Sequence, residues 1–253
     1  MRRTVLVTAT LCLLLAPAGF TQQRTILAIG AHCGDAEITT GALLAKHRKL
    51  GDRIAILHLT LGEGGNPRMT PAAYGEQKRN EALAAAKVLD AEAIFGPYKD
   101  GELPVSSESV RYVANVIRRV KPTHVLTHWR NSMHRDHTAT YRIVSEAVLL
   151  ASLEGFVSEY PRHRGLRGVY YAENWEDAED FKPFLYVDVS AELDQWEKCV
   201  TQYEFIRGGI SSYPYLDYYK SLARVRGSES GKRYAISFEV DPWSRRRVID
   251  ALP

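Results

Sequence analysis

Four short apolar runs, each followed by a stretch of helical character, set the tightest limit on what this 253-residue chain can fold into. The runs lie at 25–30 (Thr-Ile-Leu-Ala-Ile-Gly), 53–59, 93–95 and 123–128, and the helical stretches at 38–50, 71–89, 106–120 and 138–153. Leu43, Leu44 and Leu50 make the first helix apolar on one side and Gly51 stops it; Pro71 opens the second, and Ser106-Ser107-Glu108 offers a cap to the third. A run that is apolar throughout suits a parallel strand buried on both faces. Such alternation requires right-handed crossovers that carry helices to either side of the sheet. The expected fold is therefore α/β, a three-layer Rossmann-like, mostly parallel sheet with helices on both faces.

The second half is less regular. Residues 154–183 read as loops with a short strand at 168–172. Residues 184–189 and 234–240 read as strands. Ser190 is placed to cap a helix over 191–206, and 207–233 reads as a surface loop with a helical turn or more. No internal repeat or second domain is visible.

Arg2 and Arg3, the apolar stretch 5–15 and the small residues Ala16 and Ala18 form a basic, apolar and cleavable sequence of the export type. The stretch is short of the roughly 20 residues a membrane span needs, although an uncleaved anchor is the alternative. The division expected is a signal peptide at 1–18 and one domain at 19–253, with a secreted or periplasmic location and no integral membrane segment after cleavage. Without Arg2 and Arg3, 31 basic residues face 30 acidic ones, a net charge of +1. That balance argues against a nucleic-acid partner. Cys33 and Cys199, the cysteines left in the mature chain, are expected to be free, and neither lies in the Cys-x-x-Cys pair of a redox protein.

The chemistry concentrates in two segments: Gly30-Ala-His32-Cys-Gly-Asp35-Ala-Glu37, directly after the first run, and His134-Arg-Asp136-His137, after the fourth. In open α/β sheets ligands bind beyond the carboxyl ends of the strands, at the switch in strand order. The first and fourth strands commonly flank that switch, so both segments arrive at one crevice. His32 and Asp35, three apart in a turn, can aim two ligand atoms at one point, and His137 completes a two-histidine, one-carboxylate set. Three protein ligands leave a coordination position for water, as catalytic zinc requires; the same set suits iron(II). His47, His58, His124, His128 and His163 have ordinary packing or surface roles, with support behind a metal ligand as the alternative for His128.

At these residues the chain resembles the PIG-L/LmbE-like family of zinc-dependent de-N-acetylases, which carries His-Pro-Asp-Asp-x-Glu after its first strand and His-Pro-Asp-His further on. Leu59-Thr-Leu-Gly-Glu63-Gly, Arg79 with Glu81, Lys99-Asp-Gly-Glu-Leu103 and Tyr234-Ala-Ile-Ser-Phe238 follow in matching order. The resemblance implies metal ligation by His32, Asp35 and His137, and transition-state stabilisation or leaving-group protonation by His134. It also implies a supporting role for Glu37 behind the ligands and substrate binding by Arg79, although an ion pair with Glu76 or Glu81 is the simpler use of that arginine. The implied activity is hydrolysis of the N-acyl group of an N-acetylglucosamine-type or related small conjugate.

Two positions of the first motif depart from the pattern. Cys33 replaces a proline, and Gly34 replaces the aspartate that acts as general base. Acid–base assistance is typically worth 10²–10⁴-fold, so about 3–5 kcal/mol of the barrier lacks an owner. Three readings stay open. Asp136 or His134 takes the proton; a slow hydrolase works through zinc alone; or the chain is a catalytically degenerate zinc- and sugar-binding protein. In the last case Tyr213, Tyr215, Tyr218 and Tyr219, with Trp196 upstream, would stack on sugar rings.

Overall fold

The first apolar run becomes the middle of a seven-stranded sheet. The structure is a computed structural model that describes residues 23–177 and 179–245, so the export segment expected at 1–18 lies outside the described residues. The elements are β1 (Thr25–Gly30), α1 (Asp35–Lys49), β2 (Arg53–His58), α2 (Pro71–Val88), β3 (Glu92–Phe95), α3 (Ser107–Val120), β4 (His124–Thr127), α4 (Arg135–Ser152), β5 (Gly168–Ala172), β6 (Leu185–Asp188), α5 (Leu193–Val200), α6 (Tyr215–Glu229) and β7 (Ala235–Glu239). The strand order is β3-β2-β1-β4-β5-β7-β6. The first five are parallel, and β7 runs antiparallel to both of its neighbours.

Alternation of side chains along each strand explains why the central runs are apolar throughout. Ile26 and Ala28 of β1 pack with α1, α2 and α5 on one face. Leu27 and Ile29 pack with α3 and α4 on the other. Both faces are covered, so positions 26–29 of β1 leave no place for a polar residue. Chain order reverses between β1 and β4, where β1 leads outward to β2 and β3 while β4 leads to β5. This places the loops after β1 and β4 side by side at the switch point.

The helix boundaries differ from the sequence expectation in ways that matter for the site. α1 starts at Asp35 rather than near 38, and α4 at Arg135 rather than 138, so both chemical motifs lie on first helical turns. Ser106 caps α3 as expected, in a reciprocal box with Ser109. Ser190 does not cap α5. Its hydroxyl donates to Asp188 Oδ1 at 2.6 Å and accepts from the Tyr234 amide at 3.0 Å, tying β6 to the approach of β7. The segment expected to be mostly loop holds the 15-residue helix α6, whose Leu216, Tyr219, Leu222 and Ala223 form an apolar stripe against the core. Among the described residues no helix is long and apolar enough to cross a membrane.

Candidate metal centre and active site

The turn that follows β1 is built around one carboxylate oxygen. Asp35 Oδ2 accepts from the His32 backbone amide at 2.7 Å. The same oxygen faces His32 Nδ1 at 3.1 Å, His137 Nε2 at 3.2 Å and His128 Nε2 at 3.3 Å. A carboxylate offers about four lone-pair sites over its two oxygens, so four nitrogens around one oxygen exceed what hydrogen bonding can satisfy. The donor set could hold a divalent cation. Ligand atoms of His32, His134 and His137 lie within 4.8 Å of one another, as do those of Asp35, His128 and His137. The structure thus brings the three expected ligands to one point and adds His128 beside them. The His128 ring stacks on His137 with centroids 4.0 Å apart, and its Nε2 accepts from the Ala31 amide at 3.0 Å.

The electrostatics follow from packing carboxylates and imidazoles in a buried place. Burial disfavours charge on Asp35, yet the His137 and His32 charges outweigh it and hold the carboxyl well below its ordinary range. Burial likewise opposes the imidazolium of His137, but Asp35 and Glu176 carry its pKa up to about 9. His32 is raised for the same reason by Asp35, Asp100 and Asp136. His128, desolvated and next to His137, falls to about 4 and is neutral.

Each ligand is held from behind. His137 Nδ1 meets Glu176 Oε2 at 3.0 Å. Asn174 Nδ2 lies 3.4 Å from the same nitrogen, and Asn174 Oδ1 accepts from the Tyr219 hydroxyl at 2.7 Å. His32 Nε2 meets Asp100 Oδ1 at 3.0 Å and Asp136 Oδ2 at 3.5 Å. Asp100 in turn is clasped by the loop after β2, its Oδ2 accepting from the Gly64 amide and its own amide donating to Glu63 Oε1, both at 3.0 Å. Gly62, at φ +74°, brings that loop against His32; a Cβ there would sit 3.2 Å from His32 Cβ.

The remaining expected residues are placed as follows. His134 is the N-cap of α4, with Nδ1 accepting from the Asp136 amide at 3.2 Å. Its ring lies edge-on to His32 at 4.6 Å and lines the cavity. Burial and the neighbouring His32 and His137 charges lower its pKa, so it is a neutral imidazole with Nε2–H available. Asp136 is fully buried and turned to the far edge of His32 and to the Gly101 amide, which donates to Oδ2 at 2.7 Å. Glu37 meets none of the three ligands; it accepts from the Tyr203 hydroxyl at 2.7 Å, with His58 Nε2 at 3.6 Å. Its turn of α1 points along the core side, so the carboxylate behind His137 is Glu176 instead. Arg79 is absent from the cavity wall, its guanidinium lying 4.2 Å over the Phe95 ring. One residue earlier on α2, about 100° around the helix, Lys78 faces the cavity. Tyr215 and Tyr219 line the cavity, but Trp196 is buried, donating to Ile38 O at 3.0 Å; the indole at the mouth is Trp175, stacked on Tyr213 at 4.5 Å. Cys33 and Cys199 are free and buried, and burial pushes the Cys33 thiol far up, which keeps it protonated.

These groups surround a cavity of about 210 Å³ at the switch point. A profile of the PIG-L family, described as GlcNAc-PI de-N-acetylase, matches residues 27–148, from β1 through the second chemical motif. Over those 122 residues, just under half of the chain, the protein is similar to the PIG-L family. Relatives with similarity over most of the chain include the diacetylchitobiose deacetylase of Thermococcus kodakarensis, 26% identical over 234 residues, 85% of this chain and 82% of that protein. The 4-oxalmesaconate hydratase of Pseudomonas putida is 26% identical over 226 residues, 86% of this chain and 85% of that protein. A conserved protein of Thermus thermophilus superposes with a TM-score of 0.78 at 28% identity, covering 91% of this chain and 100% of that one. Deacetylases of 2-acetamido-2-deoxyglucosyl inositol also match, the chain spanning about half of their length.

Proposed function

We propose that this protein is a metal-dependent amidase that removes the acetyl group from an N-acetylglucosamine-type or related small conjugate. The observation that carries this reading is the approach of His32 Nδ1 and His137 Nε2 to Asp35 Oδ2, at 3.1 and 3.2 Å, on the wall of the cavity. His32, Asp35 and His137 would hold the ion; zinc suits this donor set, and iron(II) shares it. When bound, such an ion brings the pKa of water near 7 and polarises the acyl oxygen.

The chain's own groups do the rest. Glu176 fixes the His137 ring, and Asp100 with Asp136 fixes His32, so the ligand nitrogens are aimed before substrate arrives. His134 offers Nε2–H to the oxygen that gains charge when the acyl carbon becomes tetrahedral. Trp175 and Tyr215 line the cavity, backed by Tyr213, an aromatic wall suited to the apolar face of a sugar. Export by residues 1–18, to the cell exterior or the periplasm, is part of the same proposal and rests on their sequence. Zinc-loaded protein is expected to release acetate from N,N′-diacetylchitobiose or from 2-acetamido-2-deoxyglucosyl inositol. Acetate release that persists after chelation, or in His137→Ala, would remove the proposed centre.

A second reading has one observation in its favour: the hydratase relative matches over nearly the whole chain. Hydration of 4-oxalmesaconate without acetate release from either sugar would replace the amidase reading with that one.

A further inference from the structure

The space that a general-base carboxylate would occupy at position 34 is already filled. Gly34 is at φ +108° and is the N-cap of α1. A Cβ built there would sit 2.9 Å from Phe205 Cζ and 3.7 Å from Lys78 Nζ. Lys78 reaches in from α2, is 4% exposed and lines the same cavity as His32, Asp35 and His134. Its Nζ donates to Cys33 O at 2.5 Å and lies 4.0 Å over the Phe205 ring and 4.9 Å from the Tyr203 ring. No carboxylate among the described residues forms an ion pair with it.

We propose that the Lys78 amine performs the proton transfer for which position 34 has no side chain, which makes it a catalytic residue of the amidase. The proposal rests on the amidase reading above. The neutral amine takes a proton from the attacking water as the water oxygen bonds to the acyl carbon. The C–N bond then breaks, and the ammonium returns that proton to the leaving nitrogen. The products are the free amine and acetic acid, which loses its own proton to solvent. One proton moves through one side chain, and no other reactant is needed.

The surroundings suit this use. An aromatic sandwich with a single carbonyl acceptor leaves the amine poorly solvated, and burial disfavours its charge. Asp35 and Glu37 from α1 and Glu81 from its own helix act in the opposite sense, the protonated Cys33 thiol carrying no charge, and burial prevails, leaving the amine less basic than an ordinary lysine. The alternative role for Lys78 is a tether: its bond to Cys33 O spans from α2 to the turn between His32 and Asp35.

Two measurements separate these roles. In the metal-loaded protein, acetic anhydride labelling across a pH series, read lysine by lysine by mass spectrometry, should acetylate Lys78 at lower pH than the surface lysines. Labelling of Lys78 in step with or later than those lysines, or no labelling at any pH, would overturn the proposal without reference to any substrate. With diacetylchitobiose, Lys78→Met should lower kcat by about 10²–10⁴-fold with KM and metal content little changed. Lys78→Cys alkylated with 2-bromoethylamine, which carries a less basic amine, should restore activity with the acidic limb of the kcat profile moved to lower pH. Lys78→Arg keeps the cation and the tether but has no neutral form at these pH values. Full activity in Lys78→Arg, or in Lys78→Met, assigns the lysine to the tether alone. Wild type that labels early at Lys78 yet releases no acetate from either sugar overturns the amidase reading, and with it the catalytic role.

Discussion

The parallel half of the molecule, β1 through α4, and the mixed half, β5 through β7, contribute to the site in different currencies. The first supplies the proposed ligands and the oxyanion donor, and each comes from a turn that leaves a strand at the sheet's switch point: His32 and Asp35 after β1, His134 and His137 after β4. The second supplies support and walls: Glu176 and Asn174 behind His137, Phe205 over Gly34, and Tyr215 and Tyr219 in the cavity. The lesson is that each pair of site residues is set locally, three apart in sequence, whereas their orientation and the cavity shape are set by contacts spanning 37 residues between Asn174 and His137 or 45 between Tyr219 and Asn174.

Substitutions can break or sharpen that contrast. The largest effect should come from the first half: His32→Ala removes a ligand, and acetate release should fall by about 10³-fold or more, since metal charge stabilisation is worth several kcal/mol and each 1.36 kcal/mol is tenfold. His134→Ala should come next, losing about 10²–10³-fold in kcat, the usual value of one oxyanion donor, with metal retained by elemental analysis. In the second half, Glu176→Gln should weaken metal affinity by about 10–100-fold while leaving the ligand set whole. A loss as large as that of His32→Ala would mean that Glu176 is itself a ligand. A chelator-competition titration also tests the charge logic. His137 must shed its proton to bind metal, and that proton is held up to about 9. Affinity should therefore rise with pH at least to about 9, since the raised His32 must lose its proton as well, and the His137 part of the rise should move to lower pH in Glu176→Gln.

The smallest effect concerns stability. Gly34→Asp puts a side chain at φ +108° and against Phe205. It should cost about 1–3 kcal/mol in a urea melt and bring no gain in acetate release. Phe205→Ala in the same chain should recover part of the loss by removing the clash. A Gly34→Asp protein as stable as wild type and faster would show that the position is simply vacant.

Much of the first half was legible in the sequence because its signals are short-range. Apolar runs at 25–30 and 123–128 marked strands, and the spacing of His32 with Asp35 and of His134 with His137 suggested a chemistry. The rest was hidden for identifiable reasons. α6 was obscured because arginine, serine and glycine dilute a stripe of only four apolar positions. Glu176 was one acid among many in an irregular loop, and only the fold brings it to 3.0 Å from His137. Glu37 and Asp136 carry the right functional group, but their helical turns aim them at Tyr203 and at the outer edge of His32. Arg79 and Lys78 are adjacent in sequence, and rotation about α2 decides which reaches the cavity. Gly34 could be read as a missing acid; that Phe205 and Lys78 fill its place required coordinates.

The central claim is that His32, Asp35 and His137 share one divalent cation. The most direct measurement is the metal content of purified protein by inductively coupled plasma mass spectrometry, wild type against Asp35→Asn. The expected result is one zinc or iron per chain in the wild type and essentially none in the variant, with both proteins folded by circular dichroism. Equal metal in the two, or none in wild type after dialysis against zinc, would contradict the account.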